Sequence, residues 1–254
     1  MEAAMMWKNV PYIDKTISSS AGNYFVPNPG PIWDKIEGDF QFAADNLTDT
    51  KSDVGRANSW AAKAFLAKTY LFQHKFNEAL PLLTSIIDQG VTSNGLKYDL
   101  LERYYYNFRS STQNGAEQVF AIQHSVKDGG GVHSGNGNTA SGEGYAGPFG
   151  GPFPTFGFYQ PSFSLANSYK TDDATGLPLI DSFNDFDIDN DQGISSSDPF
   201  TPYQGTLDSR IDWTIGRRGI PYLDWGVNPG ASWVRQQSTS GPYLHMKHAN
   251  PQSE

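Results

Sequence analysis

The sequence predicts a mainly α-helical chain whose second half is rich in loops and carries short strands. In three segments before residue 90, apolar residues recur at steps of three and four, the periodicity of a helix with one buried face. From Asp128 onward, glycine, proline and aromatic residues replace this pattern. We therefore expect a helical part, 1–124, and a loop-rich part, 125–254.

The three periodic segments define the predicted helices. Ile32–Leu47 carries acidic residues between its apolar positions. Gly55–Gln73 is rich in alanine, whose small side chain lets a second helix approach closely. Phe76–Gln89 is followed by Gly90, a typical C-cap residue, and tolerates Pro81 only in its first turn.

The last two of these helices resemble a tetratricopeptide hairpin. Leu66-Ala67-x-x-Tyr70 matches one element of that repeat, and Ala79-x-x-x-Leu83 matches another. A single hairpin cannot bury its own apolar face, so the pattern implies neighbouring helices.

Shorter elements are predicted after the hairpin. The aromatic residues of 104–108 indicate a short helix, and the apolar run Val119–Gln123 indicates a buried strand. Ser162–Lys170 is predicted to be helical, with Ser162 as its N-cap.

Composition argues against several functions. The net charge of −9 disfavours nucleic acid and anionic lipid surfaces, and the absence of cysteine excludes disulfides and thiol nucleophiles. The sequence contains no run of 18 apolar residues, so it predicts no membrane-spanning helix. Neither the G-x-S-x-G nor the H-E-x-x-H motif occurs, and no segment indicates the paired acids of a glycosidase. We expect a non-catalytic protein without an organic cofactor.

An alternating acidic segment is the candidate metal site. Asp187, Asp189 and Asp191 precede Gly193, and closely spaced carboxylates are ligands that calcium prefers. The glycine comes one position later than in an EF-hand loop, and no helices are predicted beside it. Calcium binding and a solvated acidic turn are therefore the two interpretations.

Aromatic residues of the second half are the candidate ligand contacts. A sugar ring has an apolar C–H face that an aromatic ring can cover, and a rim of hydroxyls that carboxylate, amide or guanidinium groups can bind. The alternative is that these rings hold the loops onto the core. The candidate glycan contacts are Tyr222, Trp225, Trp233, Asp224, Asn228, Arg235, Tyr145 and Phe156.

Several ordered segments together resemble the SusD/RagB family. The first is the alanine-rich helix that begins with Gly55-Arg56-Ala57, and the others follow it in the family's order. These other segments are Glu117–Gln123, Gln160–Ser162, Lys170–Asp172, Gly176–Pro178, Leu207–Arg210 and Gly219–Tyr222.

The resemblance implies a stack of tetratricopeptide-like hairpins whose long loops carry a glycan site. It further implies a lipoprotein at the surface of the bacterial outer membrane, which captures an oligo- or polysaccharide and delivers it to a SusC-like TonB-dependent transporter. The lipid anchor is not in this sequence, so we expect a central fragment of a longer protein. A tetratricopeptide-type adaptor that binds protein and no glycan is the alternative.

Overall fold

The computed structural model describes residues 1–28, 30–123, 160–247, 249 and 251–253. This part of the chain is mainly helical with two short strands, which confirms the predicted fold class.

The chain divides into two compact units. The first comprises Met1–Glu102 and Thr112–Gln123, and the second comprises Arg103–Ser111 and the described residues of His124–Glu254. The predicted boundary near residue 125 adjoins residues outside the described ranges and stays a prediction.

The first unit is built on helices. They are α1 (Glu2–Trp7), α2 (Trp33–Asn46), α3 (Ser59–Phe72) and α4 (Phe76–Gln89). Helix α3 packs against both α2 and α4, and its buried residues include Ala61, Ala62 and Ala67. The small side chains allow this close packing, and the α3–α4 pair confirms the predicted hairpin.

A buried asparagine sets the start of α3. The side-chain oxygen of Asn58 accepts a hydrogen bond from the backbone N–H of Ala61 at 2.8 Å. Its amide nitrogen donates to the carbonyls of Asp49 and Val91, both at 2.8 Å. Because this N-cap satisfies a donor of the first turn, α3 begins at Ser59 and is shorter than predicted.

The turn between α3 and α4 is tied to α2. His74 has a φ of 59°, and the N–H of Lys75 donates to the carbonyl of Tyr70 at 2.9 Å. The Lys75 ammonium also contacts Glu37 of α2 at 2.6 Å. Pro81 lies beyond the first turn of α4, contrary to the prediction, so the helix lacks one internal hydrogen bond there.

The apolar run at 119–123 is not a strand. Phe120 packs its edge against the Phe65 ring of α3 at a centroid distance of 6.1 Å, while Ile122 is exposed. Within the described ranges no strand pairs with this run. The prediction failed because a strand needs a partner ladder, which an apolar run does not supply by itself.

Helix α4 has two apolar faces, and only one packs against α3. Ile86 is buried, whereas Phe76, Leu80 and Ile87 are 59%, 66% and 69% exposed. A groove of about 410 Å³ adjoins Ile87 and is also lined by Leu100. We call the exposed stripe of Phe76, Leu80 and Ile87 the outer α4 face.

The second unit has only short regular elements. Strand β1 (Ile215–Gly216) pairs antiparallel with β2 (Leu244–His245), and Gly216 lies opposite Leu244. The short helices are α5 (Phe163–Asn167) and α6 (Gln237–Ser240), with 3-10 turns at Tyr104–Phe108, Ser209–Trp213 and Ala231–Trp233. A further 3-10 turn, Ser110–Thr112, lies where the chain passes from the second unit to the first.

Two apolar clusters hold the second unit together. The first cluster is Ala166, Ile188, Ile211, Ile215 and Tyr243. The second cluster is Tyr222, Val234, Leu244, Met246 and Ala249. Because Ile215 comes from β1 and Leu244 from β2, the two-stranded ladder connects the two clusters.

Polar side chains replace the missing backbone hydrogen bonds of this unit. The Lys170 ammonium is buried and donates to the carbonyl of Phe186. Arg218 donates to the carbonyls of Ser196 and Asp198 at 3.1 and 2.6 Å. Irregular backbone can be buried only when such partners satisfy its polar groups.

Helix α5 is shorter than predicted because its last residue turns inward. Ser162 caps the helix as expected, accepting from the N–H of Leu165 at 3.1 Å. Asn167 is buried, donates to Asp187 at 2.7 Å and accepts from the N–H of Ile188 at 3.0 Å.

Candidate functional site

Residues 219–228 form a hairpin that presents a tryptophan near its tip. The N–H of Tyr222 donates to the carbonyl of Gly226 at 2.8 Å, and Pro221 forms a bridge with Val227. Leu223 and Gly226 adopt positive φ values of 51° and 104°, which close the turn. Trp225 lies between them and is half-buried.

Tyr222 anchors this hairpin to the two strands. The side chain is 1% exposed, and its hydroxyl donates to the carbonyl of His245 at 2.7 Å. The ring lies so close to Gly216 that a Cβ at that glycine would be 2.6 Å from it. Burial also raises the pKa of the Tyr222 hydroxyl. Because the ring is enclosed, the expectation that it faces a glycan is corrected.

Trp225 and Trp233 combine the two roles that the sequence left open. Both are half-buried and pack against the second apolar cluster. The Trp233 ring meets the Tyr222 ring edge-on, at a centroid distance of 5.7 Å and an interplanar angle of 80°. Part of each indole is therefore structural and part remains accessible. Their contact with a ligand stays a prediction.

The three polar side chains that were predicted to bind sugar hydroxyls differ in their exposure to solvent. Asp224 is exposed and accepts from the N–H groups of Gln252 and Ser253 at 2.6 and 3.0 Å. Asn228 is 1% exposed, so it cannot reach a surface ligand, which corrects that expectation. Arg235 is exposed. Tyr145 and Phe156 lie outside the described residues.

The acidic segment is fastened to the unit at both ends. Asp187 accepts from Asn167, and the buried Asp191 accepts from the Gln237 amide at 2.9 Å. Burial raises the pKa of the Asp191 carboxyl, and the hydrogen bond from Gln237 and the charge of Arg218 offset part of this shift. Asp189 is exposed.

These carboxylates do not form a ligand shell. In the part of the chain that the structure describes, no three acidic or histidine side chains come together to hold a metal ion. Calcium binding at Asp187, Asp189 and Asp191 therefore remains an untested prediction.

The structure also assembles an aromatic group that the sequence did not single out as a site. The Tyr105 and Trp213 rings stack with centroids 4.2 Å apart and planes 20° apart. Tyr106 contacts Tyr105 at 4.7 Å, and Phe108 contacts Tyr104 at 5.3 Å. All five rings are half-buried. We call Tyr104, Tyr105, Tyr106, Phe108 and Trp213 the tyrosine–tryptophan cluster.

Two cations lie over the rings of this cluster. The Lys247 ammonium is 4.9 Å from the centroid of the Phe108 ring and 5.6 Å from that of Tyr104. The guanidinium of Arg109 lies 5.2 Å from the centroid of Tyr105. Such cations are attracted by the faces of aromatic rings. The cluster thus combines aromatic surface with hydroxyl and cationic groups.

The turn that carries Trp213 is fixed by charged residues. Asp208 caps it, accepting from the N–H of Arg210 at 2.9 Å, and also pairs with the Arg210 side chain. This pairing lowers the pKa of the Asp208 carboxyl. Arg217 contacts Asp212 of the same turn at 2.6 Å. These contacts hold Trp213 in place beneath Tyr105.

The sequence contained one signal for this cluster. The run of three tyrosines before Asn107 predicted a short helix, which the 3-10 turn at Tyr104–Phe108 confirms. Its stacking partner Trp213 is distant in sequence, so their contact was not predictable from spacing.

Comparison with known proteins finds similarity to SusD-like proteins. No protein-family model matches the chain. A SusD-like protein from Bacteroides ovatus is 34% identical over 99 residues, which cover 36% of this chain and 18% of that protein. Among the described residues no helix is long and apolar enough to cross a membrane.

Solved structures with the same fold cover most of the chain. A SusD superfamily protein from Bacteroides vulgatus aligns with 100% of this chain and 45% of its own, with a TM-score of 0.62 and 20% identity. A SusD-like protein from Bacteroides fragilis aligns with 87% of this chain and 41% of its own, with a TM-score of 0.58 and 18% identity. The chain therefore spans less than half of the length of these relatives.

Proposed function

We propose, from the SusD-like family assignment that these relatives support, that the chain binds an oligo- or polysaccharide without altering it. The proposed setting is the surface of the bacterial outer membrane, and the proposed recipient is a SusC-like TonB-dependent transporter. The observation that carries the proposal is the grouping of half-buried aromatic rings in the second unit.

Half-buried rings suit saccharide binding because one part is held by the protein while another part remains accessible. Tyr105 is held by its stack with Trp213, and Trp225 is held by the second apolar cluster. Each ring can then cover a sugar face without first becoming ordered, which reduces the entropic cost of binding. Hydroxyl and charged groups near the rings can bind the sugar hydroxyls.

Two tryptophan substitutions test the proposal. In affinity measurements against a panel of polysaccharides, Trp213→Ala and Trp225→Ala should each weaken binding about tenfold or more, because loss of a large apolar contact costs roughly 1.5–3 kcal/mol. Trp7, which is 66% exposed in the first unit, supplies the matched control Trp7→Ala.

The outcome separates the two aromatic surfaces. A loss limited to Trp213→Ala assigns binding to the tyrosine–tryptophan cluster, and a loss limited to Trp225→Ala assigns it to the 219–228 hairpin. If no polysaccharide binds, or if both variants bind as tightly as the Trp7→Ala control, saccharide capture through these rings is wrong.

The outer α4 face favours a second candidate function, that of a helical protein–protein adaptor. Exposed apolar side chains in a stripe along one helix are typical of surfaces that other proteins cover. In the saccharide-capture proposal the same face is available to the transporter. Both functions therefore use the helical unit to hold a protein partner.

A charge placed on this face tests the partner contact. Leu80→Glu or Ile87→Glu should abolish co-purification with the SusC-like transporter, since a buried unpaired carboxylate is strongly unfavourable. Asn77→Glu adds the same charge at an exposed polar position of α4 and should have little effect. Equal co-purification of all three variants would remove the outer α4 face from the interface.

A further inference from the structure

Lys247 brings a positive charge to the tyrosine–tryptophan cluster. Lys247 is half-buried, and its ammonium group lies over the Tyr104 and Phe108 rings. In the ranges that the structure describes, no carboxylate lies within ion-pair distance of this ammonium. The charge is therefore available to an anionic ligand at the same surface.

Two acidic residues at the turn that carries Trp213 have cationic partners of their own. Asp208 is paired with Arg210, and Asp212 with Arg217. These two pairs cancel locally, so they do not compensate the ammonium of Lys247.

The Lys247 ammonium is opposite in sign to the net charge of the whole chain. The net charge is −9, so the protein as a whole repels polyanions. If the protein binds an anionic polymer, the binding must therefore come from a local site, because the net charge of the protein does not attract the polymer.

Resting on the proposed saccharide binding, we propose that the tyrosine–tryptophan cluster takes an acidic saccharide that bears a carboxylate or a sulfate. The aromatic rings cover the C–H face of the sugar, and the Lys247 ammonium pairs with its anionic group. A charge-assisted hydrogen bond beside an apolar surface is stronger than one between neutral groups. The pairing therefore selects acidic over neutral chains.

A matched pair of polymers provides the test. Polygalacturonate and its carboxyl-reduced form share one backbone and differ in charge, and dextran sulfate with dextran forms the second pair for the sulfate. Binding of the wild-type chain and of Lys247→Met is measured against all four by calorimetry at low and at physiological salt. Methionine keeps an unbranched apolar stem over the rings and removes the charge.

Two further variants complete the design. Lys247→Arg keeps the charge and should bind nearly as the wild type does. Lys15→Met removes one charge from an exposed position of the first unit and should change nothing. Thermal unfolding of every variant verifies that the fold is retained.

The expected result is that Lys247→Met binds the acidic polymer about tenfold more weakly and binds the neutral form unchanged. The polymer pair that shows this loss identifies carboxylate or sulfate as the recognised group. Equal binding of acidic and neutral forms, with no effect of Lys247→Met, overturns the inference but leaves saccharide binding intact. Failure to bind any of the four polymers also overturns the inference, while the polysaccharide panel decides separately whether the chain binds saccharide.

Discussion

The two units of this chain bury their backbone by different means. In the first unit, helices satisfy their own backbone groups, and the centre of α3 is packed with small apolar residues such as Ala61 and Ala67. In the second unit, regular elements are short, and the buried residues include charged and amide side chains. Examples are Asn167, Lys170, Asp191, Arg217, Arg218, Asn228 and Gln237.

The difference shows what a loop-rich unit requires. Irregular backbone leaves N–H and C=O groups without ladder partners, so side chains must reach in to satisfy them. Those side chains are then committed to structure, as Asn228 and Asp191 are. Half-buried aromatic residues such as Trp213 and Trp225 keep part of their surface accessible.

The largest expected effect concerns the anchor of the loop-rich unit. Tyr222→Ala should lower the free energy of unfolding by about 3–5 kcal/mol, the usual cost of removing a buried aromatic ring. Tyr222→Phe removes only the hydrogen bond to His245 and should cost about 1 kcal/mol. Urea unfolding followed by tryptophan fluorescence measures both. A cost under 1 kcal/mol for the alanine variant would show that the second cluster does not depend on this ring.

The next effect separates the two faces of α4. Ile86→Ala should cost about 2–4 kcal/mol because Ile86 is 8% exposed, and its deletion leaves a cavity. Ile87→Ala should change stability by no more than about 0.5 kcal/mol, since Ile87 is already 69% exposed. The pair is compared by urea unfolding. Similar costs at both positions would mean that the outer α4 face is covered.

A smaller effect tests the role of amides in irregular backbone. Asn167→Ala leaves the buried N–H of Ile188 without its acceptor, which should cost about 1–3 kcal/mol. Asn77→Ala removes an exposed amide of α4 and should cost a few tenths of a kcal/mol, as exposed substitutions usually do. If the two variants are equally stable by thermal unfolding, the amide does not hold α5 to the acidic segment.

The smallest effect is a pH dependence at Asp191. Burial raises the pKa of its carboxyl above the ordinary value of 3.8, so the folded state holds this proton more tightly than the unfolded state. The contribution of Asp191 to stability is therefore greatest below pH 3.8 and declines as the pH rises through the folded pKa.

Asparagine cannot ionise, so the free energy of unfolding of Asp191→Asn should increase relative to that of the wild type as the pH rises through this window. Urea unfolding at a series of pH values measures the difference. A constant difference across the series would contradict a raised pKa.

The sequence predicted those elements correctly that depend on interactions between residues close together in the chain. The positions of α2 and α4, and the Ser162 cap of α5, follow from periodicity and local capping. The prediction failed for 119–123, because a strand is defined by a partner that the run does not contain.

The candidate site shows the same division at the level of single residues. Tyr222 and Trp225 lie three positions apart in one hairpin, yet the first is enclosed and the second half-exposed. Nothing in their spacing distinguishes them. The packing of Tyr222 against Gly216, which lies in another strand, makes the difference.

By itself, the sequence determined the helical hairpin of the first unit, the loop-rich character of the second and the abundance of aromatic residues there. Those properties depend on interactions within a few residues of each position. Tertiary structure alone decided which rings are enclosed and which meet at a surface. It also placed Lys247 over Tyr104 and Phe108. The physical reason is that enclosure and ring stacking require atoms from distant parts of the chain, whose approach only folding brings about.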